Sequence, residues 1–69
     1  MTKDQQISFI EESVKSHFEH LFDTLRLSLL GDTNSDKIAT ARLNFHEGLD
    51  ELAFARDQAI EVINARGDL

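Results

Sequence analysis

"GDTNSD", residues 31 to 36, decides how this chain folds. A helix-ending glycine is followed by side chains that favour turns and helix N-caps, and no other such cluster lies inside the chain. The polypeptide therefore reverses here. Upstream, Ile7, Ile10, Val14, Phe18, Leu21, Leu25 and Leu29 recur in steps of three and four with nothing charged among them, the period of an amphipathic helix. Thr2 with Gln5 forms a capping-box pattern at its start, and the absence of proline lets it run on. Downstream, a second stripe follows Ile38, Ala41, Phe45, Gly48/Leu49, Leu52, Ala55, Ala59 and Val62/Ile63, with Gly67 placed to end it. The expected fold is all-α, one domain over residues 1–69. It is an antiparallel two-helix hairpin with helices over about 3–30 and 36–66 and a turn at about 31–35.

Sixty-nine residues bury a smaller share of their surface than a larger domain does, and small scaffolds usually need a staple. The chain has no cysteine, which excludes disulfides, thiol catalysis and thiolate metal sites and leaves oligomerisation as the staple. Read as heptads, the second helix puts Ile38, Phe45, Leu52 and Ala59 at one seam position. Ala41, Gly48, Ala55 and Val62 take the other, so large residues face small ones. A lone hairpin has no third wall. The expected assembly is a homodimer closed as a four-helix bundle around Ile10, Val14, Phe18, Leu21, Leu25, Phe45, Leu52, Ala55 and Ala59.

Thirteen acids against seven bases give a net charge of −6, which opposes a general affinity for phosphate backbones or anionic membranes and favours a basic partner. The longest apolar run, Leu52 to Ala55, is far too short to cross a bilayer, and no apolar signal segment opens the chain. The expected location is cytoplasmic.

The stretches "MTK" at the start and "FHEGLDEL", residues 45 to 52, give the layout a likeness to a known group. It resembles the Rop family of plasmid RNA-binding regulators, antiparallel hairpins that dimerise into four-helix bundles. That resemblance implies the same fold, and an RNA-binding face on the first helix in which Lys3, Lys15 and Arg26 would meet RNA loops. The residues themselves weigh against that activity: Asp4, Glu11, Glu12, Glu19 and Asp23 outnumber those bases, and such a helix repels RNA. In size, acidity and build the chain also looks like small phage accessory proteins that bind and block host proteins, among them anti-activators of transcription factors.

Three histidines suggest a metal, His17 and His20 on the first helix and His46 on the second. However, at 100° per residue His20 points about 160° from Phe18 and His46 about 120° from Leu52, away from the seam. The Glu-x-x-His spacing of helical di-metal sites is absent, so no metal or other cofactor is expected. No nucleophile elbow or phosphate-cradling glycine loop is present, and two helices offer little concave volume; an enzyme is not expected. "RGD", residues 66 to 68, reads as a helix end with a short tail.

The organised feature is acidic. Asp36, Glu47, Asp50, Asp57 and Glu61 fall within about 40° of the line opposite the second helix's core, and Leu43 and Phe54 fall on that same line. Like charges at i,i+4, such as Glu47 with Glu51 and Asp57 with Glu61, cost helix stability. The expected binding surface has Phe54, with Leu43, as anchor and Glu47, Asp50, Asp57 and Glu61 steering a basic protein, such as the DNA-binding surface of a transcription factor. Phe9 and Leu27 point outward from the first helix in the same way, and Phe9 stands at a level where it could flank one patch with Phe54.

Overall fold

The structure is a computed structural model that describes residues 1–31 and 34–68. It contains two helices packed side by side, α1 (Lys3–Ser28) and α2 (Ser35–Arg66). Both beginnings follow from local chemistry. The Thr2 side chain accepts from the Gln5 N–H at 3.1 Å while Gln5 Oε1 accepts from the Thr2 N–H at 2.9 Å, a reciprocal capping box. Asn34 starts α2 by accepting from the Lys37 N–H at 2.9 Å.

The ends are equally local. α1 stops two residues before the expected limit, as the Thr24 and Ser28 hydroxyls donate to the carbonyls of His20 and Thr24 and the Leu29 N–H is shared between Leu25 and Arg26. Gly31 then takes φ +82, a conformation that favours glycine. At the other end Gly67 takes φ +81, and its N–H donates to Ile63 at 2.8 Å. Arg26 and Arg66 occupy the last turns, where cations complement the helix dipole. Of the expected turn, Asp32 and Thr33 lie outside the described residues.

The molecule measures 50 × 15 × 9 Å, with a radius of gyration of 15.9 Å. A compact chain of this length would have about 11 Å. It is one helix thick, and the packing shows it: among the described residues only Ala41 and Ile63, 6% and 9% exposed, are buried. Val14, Leu21, Leu25, Leu52 and Ala59 lie half-buried along the seam. Phe18 and Phe45 meet edge to face at 6.3 Å between ring centroids, yet Phe18 stays 47% exposed.

Gly48 sets how closely the helices approach at mid-length. A Cβ built there would stand 2.7 Å from Leu21 Cδ2, so the α1 side chain occupies the space that any other residue would claim. The obstacle is the flexible end of a half-buried leucine, which allows a small side chain to push it aside. Urea denaturation separates the two cases. Gly48→Leu is expected to lower stability by about 1–3 kcal/mol through overpacking. Gly48→Ala, with up to about 1 kcal/mol of helix propensity in its favour, is expected to leave stability unchanged or raise it.

Candidate protein-interaction surface

α2 carries Glu47, Asp50, Asp57 and Glu61 on the face turned away from α1, whereas Asp36 and Glu51 line depressions beside the seam. Phe54 is 67% exposed, the highest value among the large apolar side chains of the described residues, and Leu43 is 54% exposed. Glu47, Asp50, Asp57 and Glu61 are all exposed around them. Asp50 receives His46 Nε2 at 3.3 Å, one turn back on the same helix. Asp57 receives Arg56 Nη1 at 3.2 Å. Among the described residues Glu47 and Glu61 have no hydrogen-bond or ion-pair partner, so their negative field is directed at solvent.

Along the helix Phe54 follows Asp50 by one turn and precedes Asp57 and Glu61 by one and two turns, which frames the ring with carboxylates. Leu43 stands three turns away, about 16 Å along the axis, and forms a separate apolar point rather than an extension of the Phe54 patch. Phe9 goes elsewhere. It lines a groove of about 600 Å³ on one flank of the seam, with Ile10, Ser13, His17, Leu52 and Ala55 among its other walls. Phe54 is absent from that lining, so the two rings serve different surfaces.

The nine side chains expected to close a dimer core divide between different parts of the hairpin. Ile10, Val14, Leu21, Leu52 and Ala55 border the groove, Phe18 and Phe45 meet edge to face, and Leu25 and Ala59 lie half-buried along the seam. The histidines also separate: the His17 and His20 rings lie 6.1 Å apart on α1, whereas His46 is engaged with Asp50. Among the described residues no group of three or more His, Cys, Asp or Glu is placed to hold a metal ion. Of the three bases that an RNA-binding reading would use, Lys3, Lys15 and Arg26, the last sits 3.8 Å from Asp23. No helix of the described residues is long and apolar enough to cross a membrane.

Three features escape a reading by periodicity. Arg56 Nη2 reaches across the seam to Glu11 at 2.7 Å, with Nε on the same oxygen at 2.9 Å, and the bond to Glu11 raises the guanidinium pKa above its ordinary value. Phe22, one turn beyond Phe18, is 51% exposed. Asp68 closes the open end of the hairpin: its Oδ1 accepts from the Lys3 N–H at 2.8 Å, while Gln6 Nε2 donates to the Gly67 carbonyl at 3.2 Å. A carboxylate at the first turn of α1 is favoured by the helix dipole, and this gives the last residue of the "RGD" stretch a structural occupation.

Asp68→Ala is expected to speed amide hydrogen exchange in the first turn of α1 about two- to fivefold, the equivalent of one terminal charge–dipole contact, and to leave the seam amides unchanged. Compared with protein families, curated proteins and solved structures, the chain matches none.

Proposed function

We propose that two copies of this hairpin pair into a four-helix bundle, and that the pair is an acidic protein-binding module. It docks on a basic surface of a regulatory protein, such as the DNA-binding surface of a transcription factor, and inhibits it by masking that surface. The observation that carries this reading is the position of Phe54: a phenylalanine 67% exposed, framed by Asp50, Asp57 and Glu61 on a helix face turned away from the seam. Water solvates the carboxylates well and the ring poorly, so the apolar gain is released when a partner covers the ring, while the acids speed encounter with a cationic surface. An aromatic centre with a charged surround is the arrangement expected of a binding hot spot. Pairing supplies the packing that a single layer lacks and displays the face twice, which strengthens attachment to a partner that is itself dimeric.

The test is affinity capture from bacterial lysate with wild type and Phe54→Glu at low and high salt, followed by binding measurements on the purified target. The reading expects a basic protein that salt releases, that Phe54→Ala binds about 30-fold more weakly, and that loses its own ligand when the hairpin binds. Equal retention of the same proteins by wild type and Phe54→Glu, with helix content unchanged, removes Phe54 as anchor and the reading with it.

A further inference from the structure

The two flanks of the seam differ in shape, and this bears on how a second copy docks. One flank is grooved. Its three depressions mix apolar walls, among them Phe9, Ile10 and Leu27, with small or polar ones such as Ser13, Asn44 and Gly48. None of them includes Phe18, Phe22, Leu49 or Ile60. Those four belong to the other flank: at 100° per residue Phe22 stands about 120° around α1 from Ile10, and Leu49 and Ile60 about 120–140° around α2 from Ala55. Because the helices are antiparallel, these rotations, of the same sense along each chain, bring the four to the same side. Phe18 and Phe22 remain 47% and 51% exposed there, and Leu49 and Ile60 half-buried.

We propose that a second copy of this chain docks on the flank of Phe18, Phe22, Leu49 and Ile60, leaving the grooved flank and the acidic outer face of α2 open. The proposal rests on the reading that the chain pairs, and specifies which surface does so.

Area favours this occupant. The hairpin exposes 5285 Å² at 7.8 kDa, against about 4,400 Å² for a compact monomer of that mass. A compact pair would expose about 7,200 Å², so pairing would remove more than about 3,000 Å² from two free hairpins, the scale of an obligate homodimer interface. Charge permits it. Each copy carries −6, but much of the excess acid lies on the outer faces, whereas along the rim of the aromatic flank Lys15, Arg26 and Arg42 stand with Asp4, Glu11 and Glu19, and Arg56, which also edges the groove, pairs with Glu11. Two such rims meet without net repulsion.

Position fits a two-fold axis as well. Phe18 and Leu49 lie within about 4 Å of the midpoints of their helices, at 1.5 Å per residue. A residue at mid-length on the contact face lies near its own copy whether the two turns point the same way or opposite ways.

Sedimentation equilibrium on wild type, Phe22→Glu and Ala55→Glu tests this, with helix content followed by circular dichroism. The expected results are twice the chain mass for wild type, association weakened at least 100-fold in Phe22→Glu, and an unchanged mass for Ala55→Glu on the grooved flank. Should Phe22→Glu lose its helices altogether, nitroxide labels at Glu19→Cys and Ser13→Cys decide instead. The distance between the two Glu19→Cys labels of a pair is expected to be shorter than that between the two Ser13→Cys labels. Dissociation of Ala55→Glu with Phe22→Glu still paired, or the reverse order of label distances, places the contact on the groove and overturns the proposal while the pairing stands. A wild type that stays at the mass of one chain at high concentration overturns the pairing itself.

Discussion

A layer of helices one helix thick can enclose few side chains, and that constraint governs this molecule. Each seam residue touches the opposite helix on one side and water on another. Even a regular stripe such as Val14, Leu21, Leu25 and Leu52 therefore reaches only partial burial, and full burial falls to Ala41, small enough for the seam to cover, and Ile63. Close approach is the compensation open to such a pair of helices. Gly48 lets Leu21 settle against the α2 backbone, and polar contacts fasten the pair, Asp68 on the first turn of α1 at the open end and Arg56 across to Glu11 farther in. These contacts fix register and order the termini more than they add stability, since exposed ion pairs contribute little in water.

The same constraint shapes the surfaces. Apolar side chains that a thicker domain would absorb remain at the surface here, and they differ in their surroundings. Phe18 and Phe22 lie on a broad apolar flank with bases and acids along its rim. Phe54 stands alone among carboxylates on the far side of α2. A flat apolar flank suits a permanent contact made once on folding. An isolated ring in an acidic field suits a contact that forms and dissolves, with salt and partner charge setting its rate. The proposed division, one flank for self-association and the outer face of α2 for a target, follows from that difference in surroundings.

Much of the fold was legible in the residues because helix formation here is a local matter. The three-and-four spacing, the Thr2–Gln5 box and Gly67 all act within a few positions along the chain, and each is found in the structure as expected. The outward direction of Phe54 followed from the same 100° geometry. The boundary of α1 moved because hydroxyls of Thr24 and Ser28, polar residues inside an otherwise helical pattern, bond back to the preceding turn and because Leu29 already serves as the cap. What periodicity misses depends on register between the helices. It does not say that Arg56 stands opposite Glu11, that Asp68 returns to Lys3, or that Phe9 lines a groove from which Phe54 is absent. Phe22 escaped for a related reason: one turn after Phe18, it lies just off the stripe through Leu21 and Leu25, on the flank rather than in the seam.

The central claim is that this single layer draws its stability from a second copy of itself. Thermal unfolding followed by circular dichroism across a hundredfold range of protein concentration addresses it directly, because dissociation coupled to unfolding makes the midpoint rise with concentration. The account predicts a midpoint that climbs steadily through that range as a single cooperative transition. A midpoint independent of concentration, in a protein that sediments as one chain, would show that two helices suffice and would contradict it.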